Sequence, residues 1–462
     1  MSGAAQRRLD EYLVERVVAP LWAWREHPGY GAFRRHIEQC QYWPADRLRA
    51  WQQQRLVELL RHAAVQCPLY SERFRLAGLD PGRGSQQTAW ERLPLLTKHD
   101  IQTRAAGLEA GNFPPRLRMR NQTGGSTGSP LQFFVDRRRF ATRMASTHRH
   151  NAWAGYRPGD WIAVLWGARL DADAEVGWKA WWRERLLERT IALNTSSVAP
   201  RDWDLFRDQV RRRRPRFLLA YARSAVAFAE HLRAQGSDDL RFESVITSAE
   251  VLLPEQRRTI ESVFGGRVFN RYGAREVSVI ASECDRHEGL HVNAEALLVE
   301  VVPAPGLPAP WGKVVITDLL NRSMPLIRYE IGDVARWQAG NCACGRGLPR
   351  LAEVQGRTTD FLQLPDGRWV SGPALTLVIA DMAEVRQVQF VQHGQKEIVL
   401  RVVPGAGYGE AARHELCRRL DLYLRGGLPL RLEEVAGIAS EASGKYRFVV
   451  QQPAPPAGKA QV

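Results

Sequence analysis

The chain has 462 residues, 44% hydrophobic and 25% charged, a balance ordinary for a soluble globular protein with room for two or three domains. No apolar run reaches bilayer length and the opening residues Met1 to Asp10 lack a signal-peptide core, so a cytoplasmic enzyme is expected. The net charge of +15 admits a polyanion-binding reading, and six scattered cysteines exclude a disulfide scaffold.

Residues 1–105 read mainly as helices; the stretch from Trp51 to Val65 has apolar residues at helical spacing, and Cys67-Pro68 breaks it. Next comes Thr123-Gly124-Gly125-Ser126-Thr127-Gly128-Ser129-Pro130, in which three glycines let backbone amides approach a polyanion and three hydroxyl side chains add donors. It lacks the lysine of a P-loop, and a solvated linker has a similar composition.

From 120 to 335 short apolar runs alternate with amphipathic helices, the pattern of an α/β domain. Buried strands are expected at 161–166, 216–221, 244–247 and 267–272, and helices at 224–235 and 254–264. The Arg211–Arg214 run closes a helix that begins near Asp202, where cations complement the dipole and Pro215 stops the helix. The Trp-rich stretch 178–187 reads as a core-facing or dimer-interface helix. Runs at 297–302, 313–317 and 333–337 suggest a more antiparallel part. After 356–360 a small α+β unit follows, with strands at 387–391 and 397–402 and a helix at 409–425. The tail from 452 is rich in Pro and Ala and reads as disordered.

Several motifs occur in one order: the 123–130 loop, Tyr272-Gly273-Ala-Arg-Glu276, Arg328-Tyr-Glu-Ile-Gly-Asp333, Gly356-Arg357-Thr-Thr-Asp360 and Gly444-Lys445. In this the chain resembles the phenylacetate–CoA ligase-like branch of the adenylate-forming (ANL) superfamily, which includes coenzyme F390 synthetase and CapK-type proteins. The resemblance implies an α/β fold: a large adenylation domain at 1–355, a hinge at 356–360 and an α+β lid at 361–451. It implies ATP-dependent activation of a carboxylic acid, aryl or acyl, through an acyl-adenylate, with Mg²⁺ as cofactor and coenzyme A as acceptor. A carrier protein, an amine or a sugar hydroxyl are the alternative acceptors.

By the same resemblance Thr123, Gly124, Gly125, Ser126, Thr127 and Gly128 hold phosphate, with Thr127 on the Mg²⁺ side. Tyr272 and Gly273 border adenine, Glu276 holds Mg²⁺, and Asp333 accepts both ribose hydroxyls. Glu250, in Thr247-Ser-Ala-Glu250, lines the nucleotide pocket or sits as a surface charge at a helix start. Arg357 contacts ribose or phosphate, and Lys445 bridges the substrate carboxylate and the α-phosphate. Leu131 and Thr359 depart from the usual Lys and hinge carboxylate, which leaves a non-catalytic scaffold as another reading. Retention of Glu276, Asp333, Arg357 and Lys445 argues against it.

Cys284 and His291 lie seven apart, and Cys342-Ala-Cys344 adds two thiols, a Cys₃His set suited to structural zinc; buried free thiols are the other reading. The resemblance favours Cys284, His291, Cys342 and Cys344 as ligands, with His287 as substitute.

Overall fold

The computed structural model describes residues 13–452 except 19–20, 23–26, 28, 84–86, 123–130, 167–188, 196–197, 238, 306, 358–360, 367–368, 372–374, 376–378, 380–381, 383, 425–426 and 440–446. The helical start is present as α1 (Tyr30–Cys40), α2 (Ala45–Gln66) and α3 (Pro68–Ala77). Cys67 between the last two is extended, as a residue before proline tends to be. Pro68 takes the first turn of α3, where its missing N–H costs nothing. The chain therefore turns a corner at Cys67 and resumes helix at once.

A hairpin follows: β1 (Arg118–Gln122) and β2 (Gln132–Asp136) pair antiparallel with Gln122 opposite Gln132. The Gly/Ser/Thr segment is the link between these two strands. Asp136 then caps α4 (Arg137–Trp153) by accepting the Arg139 amide at 2.7 Å.

Five parallel strands come next: β3 (Ile162–Trp166), β4 (Thr190–Asn194), β5 (Phe217–Tyr221), β6 (Ser244–Ser248) and β7 (Arg267–Ala274). Helices α5 (Pro200–Arg213), α6 (Ala222–Ala234) and α7 (Pro254–Phe264) connect the later ones. The strands read as near-continuous apolar runs because both faces of this part are covered. On one face Val245, Leu218 and Val268 meet Phe228, Ile260 and Phe264 of the helices. Helix α5 ends at Arg214 in the left-handed region, and Arg211 pairs with Asp239 at 2.7 Å, so the arginine run is partly neutralised within the fold.

Strands β8 (Ser278–Glu283), β9 (Leu290–Val292), β10 (Leu297–Val302), β11 (Gly312–Asp318), β12 (Tyr329–Gln338) and β13 (Arg350–Arg357) extend the same sheet antiparallel. Its order is β10-β11-β12-β13-β9-β8-β7-β6-β5-β3-β4, eleven strands in all. The antiparallel half shares one core with α2 and α3, through Leu59, Leu60, Tyr70 and Phe74 against Ile280, Leu297 and Ile316.

The C-terminal part holds a short pair, β14 (Phe361–Gln363) and β15 (Trp369–Ser371), and then β16 (Val385–His393), β17 (Glu397–Pro404), α8 (Glu410–Leu424), β18 (Leu430–Glu434) and β19 (Val449–Gln452). A four-stranded sheet in the order β18-β17-β16-β19 packs on α8 around Phe390, Leu400, Leu416 and Leu420, a core of its own. The Trp-rich stretch 178–187, hinge residues 358–360, Lys445 and the tail beyond 452 lie outside the described residues. Among the described residues no helix is long and apolar enough to cross a membrane.

Candidate active site and cysteine cluster

Two motifs far apart in sequence meet through phenol–carboxylate contacts. The Tyr272 hydroxyl donates to Asp333 Oδ2 at 2.6 Å, and the Tyr329 hydroxyl donates to Glu276 Oε1 at 3.0 Å. Burial, with Asp333 beside it, holds the Tyr272 phenol well above its ordinary pKa, so it stays a neutral donor. Gly273 follows because β8 passes close: a Cβ there would stand 2.8 Å from the Ser278 carbonyl oxygen. In the second motif Gly332 has φ +92° immediately before Asp333, and Arg328 sits at φ 50°. The Arg328 guanidinium donates to the carbonyls of Trp90 (2.6 Å) and Leu93 (2.9 Å), so its side chain anchors the strand start to the helical region.

The Tyr272–Glu276 turn is gripped from α4. Buried Arg143 donates to the carbonyls of Glu276 and Arg275, and Arg139 to that of Val277 at 3.4 Å. Asp318 of β11 compensates both, 2.8 Å from Arg139 and 3.7 Å from Arg143. Burial, then repulsion from Arg139, pulls Arg143 to about 10, still protonated at neutral pH. On the other side Arg275 Nε donates to Asn121 Oδ1 at 3.0 Å. That bond ties the turn to β1 two residues before the Gly/Ser/Thr segment.

Glu250 sits apart from these contacts in its bonding. Its Oε2 accepts the Arg223 amide at 3.0 Å, in the first turn of α6, where a carboxylate suits the helix dipole. Arg357 ends β13, in register with Asp333 of β12. Residues Thr123 to Pro130, Thr359, Asp360 and Lys445 fall outside the described residues.

Cys284, His291, Cys342 and Cys344 come together, with all four ligand atoms within 4.8 Å of one another. Pairing of Arg350 with His291 between β13 and β9 carries the 342–344 loop to the end of β8. Cys284 Sγ lies 3.8 Å from Cys342 Sγ, and Cys344 Sγ lies 3.4 Å from His291 Nε2. A tetrahedral zinc with ordinary bond lengths requires S···S about 3.8 Å and S···N about 3.6 Å, so the set fits the ion. Backbone amides of Arg286 and Arg346 point at Cys284 Sγ (3.4 Å) and Cys344 Sγ (3.5 Å), as supporting donors to thiolates should. Burial, then Arg346 and Arg350, pulls His291 down to about 4, which leaves the neutral imidazole that a metal needs. His287 is directed elsewhere: its Nδ1 is 2.9 Å from Glu283 Oε2, and it is not part of the cluster.

No protein-family model matches the chain. Similar curated proteins include the phenylacetate–coenzyme A ligase of Thermus thermophilus, 28% identical over 329 residues, which cover 69% of this chain and 72% of that enzyme. Protein CapK of Staphylococcus aureus is 22% identical over 418 residues, 86% of this chain and 88% of CapK. Among solved structures, 2-hydroxyisobutyryl-CoA ligase in its postadenylation state gives a TM-score of 0.73 at 22% identity, over 90% of this chain and 92% of that one. The chain is similar in sequence to phenylacetate–CoA ligases and CapK, and in fold to 2-hydroxyisobutyryl-CoA ligase.

Sequence reasoning assigned no role to Tyr329, Arg139, Arg143 or Asp318. Tyr329 lay in plain view inside the Arg328–Asp333 motif. The three charged residues carried no local signal, since the ion pairs join Arg139 and Arg143 to an Asp318 that is 175 or more positions away.

Proposed function

We propose that the chain activates a carboxylic acid with ATP as an acyl-adenylate and then transfers the acyl group to the thiol of coenzyme A. The observation that carries this reading is the meeting of Tyr272 with Asp333 and of Tyr329 with Glu276, which puts two nucleotide motifs at one place in an adenylate-forming fold. Asp333, held by Tyr272, accepts the ribose hydroxyls. Thr123 to Gly128 cradle the triphosphate with amides and hydroxyls. Glu276, oriented by Tyr329, and Thr127 present hard oxygen ligands suited to Mg²⁺, which when bound neutralises phosphate charge. Arg357 faces ribose or phosphate. Lys445, on a lid formed by residues 361–451 beyond a hinge at 356–360, bridges the carboxylate and the α-phosphate.

In the first half-reaction a carboxylate oxygen attacks the α-phosphorus in line; the bond to the bridging oxygen breaks and pyrophosphate leaves with its electron pair. In the second, a thiolate attacks the acyl carbon and AMP departs. Cys284, His291, Cys342 and Cys344 would hold zinc as a four-residue donor set, so the ion would act as a staple and not as a Lewis acid. A cytoplasmic location agrees with thiols kept free for metal. The wider span of the CapK likeness keeps a second reading, transfer to a sugar hydroxyl or another non-CoA acceptor.

Lys445→Ala tests the reading. Acid-dependent adenylation should fall by at least two orders of magnitude while ATP binding stays within a few-fold; equal activity would remove Lys445 from the mechanism.

A further inference from the structure

Four side chains line up across the C-terminal ends of adjacent parallel strands. Trp166 ends β3, and the register continues from Tyr221 of β5 to Ser248 of β6 and Arg271 of β7. The row two residues back, Val164, Leu219, Ile246 and Phe269, is apolar and packs on the same face. Trp166 and Tyr221 pack together with ring centroids 4.4 Å apart and planes inclined at 53°. The carboxyl ends of parallel strands are where open α/β sheets bind ligands. Arg271 directly precedes Tyr272.

Arg271 is 9% exposed, and its guanidinium has neutral partners: Nη1 donates to Asn151 Oδ1 at 2.8 Å, and Nε lies 3.5 Å from Ser248 Oγ. Two other buried arginines of this domain are matched by acids, Arg139 by Asp318 and Arg149 by Glu295. Arg271 meets no carboxylate among the described residues. Burial pulls it to about 10, so it remains charged at neutral pH. A buried charge without a countercharge is destabilising, and an anionic ligand would supply what the fold omits.

We propose that Arg271 determines acid specificity, selecting a carboxylic acid that bears a second carboxylate, with the apolar part of the substrate against Trp166 and Tyr221. The proposal rests on the adenylation reading above and adds the substrate class. No covalent role falls to Arg271; it pairs with the carboxylate that does not react.

The test is ATP–pyrophosphate exchange with matched acids, adipate against hexanoate and 4-carboxyphenylacetate against phenylacetate, on wild type, Arg271→Leu and Arg271→Lys. Wild type should favour the diacid of each pair by about 10- to 100-fold in kcat/KM, the worth of a charge-assisted hydrogen bond in a desolvated site. Arg271→Leu should lose that preference while keeping the monoacid rate, and Arg271→Lys should restore part of it. Ligand-induced thermal shifts are read alongside: without acid Arg271→Leu should melt no lower than wild type, and adipate should raise only the wild-type Tm. Exchange silence with every acid would count against the adenylation reading, while the adipate shift would still decide the role of Arg271. A wild type that prefers monoacids, an adipate shift retained by Arg271→Leu, or an equal rise in the KM for ATP with every acid would overturn the proposal.

Discussion

Replacing Cys344 with serine removes one thiolate from a cluster that ties the end of β8 to the loop before β13. Cys284 and Cys342 are 58 positions apart. Cross-linking a loop of that size removes about 4 kcal/mol of conformational freedom from the unfolded chain at 25 °C, and a bound ion acts as the cross-link. At about 1 °C per kcal/mol for a chain of this size, loss of the ion should lower the apparent Tm by about 4 °C. Cys417 on α8 lies outside the cluster and provides the control, Cys417→Ser. The assay pairs plasma mass spectrometry of tag-free protein, grown with zinc, with thermal unfolding in the presence and absence of a strong chelator. The expected result is one zinc per chain in wild type and in Cys417→Ser, with little zinc and a lower Tm in Cys344→Ser and in chelated protein. Metal-free wild type, or a Cys344→Ser variant as stable as wild type, would refute the reasoning.

Two further predictions concern the candidate nucleotide site and α4. Tyr272→Phe deletes the 2.6 Å bond to Asp333, worth about 1.5 kcal/mol when an ionised acceptor is involved, so the KM for ATP should rise about tenfold; unchanged ATP affinity would rule out this orienting role. His148 packs against the Tyr30 hydroxyl at 2.6 Å, and burial, with Arg34 and His27 adding repulsion, pulls it to about 4. The folded pKa is depressed, so the unfolded chain binds the proton more readily. Stability is full above about pH 6.5 and falls as pH drops toward 4, by about 2 kcal/mol at pH 4.5. Urea unfolding at pH 7 and 4.5 should show a smaller loss in His148→Gln, and an equal loss would contradict that cause.

The parallel strands were legible because their apolar runs are long and sharply bounded. Helix α7 was legible for the same kind of local reason, with Pro254 at its first turn and Gly265 closing it at φ 75°. Helix α4 was not. Its sequence, Arg-Arg-Arg-Phe-Ala-Thr-Arg at the start, reads as a solvated face, yet Arg139, Arg143 and Arg149 are buried because Asp318, Glu295 and loop carbonyls arrive from distant strands. The tight Cys342-Ala-Cys344 spacing made a weak zinc pattern on its own. The β9–β13 pairing that brings it to Cys284 and His291 is a tertiary fact. Among the described members of the candidate site, Tyr272, Glu276 and Asp333 were readable as motif residues. The hydrogen bonds that orient them were not, since nothing local encodes which phenol meets which carboxylate.

The central claim is acid activation by ATP, and carboxylate-dependent ATP–pyrophosphate exchange tests it most directly. With Mg²⁺ and a panel of mono- and dicarboxylic acids, aryl and aliphatic, labelled pyrophosphate should enter ATP only when an accepted acid is present, and Asp333→Ala should weaken the dependence on ATP. Folded, zinc-loaded protein that binds ATP but exchanges with no acid across the panel would contradict the account.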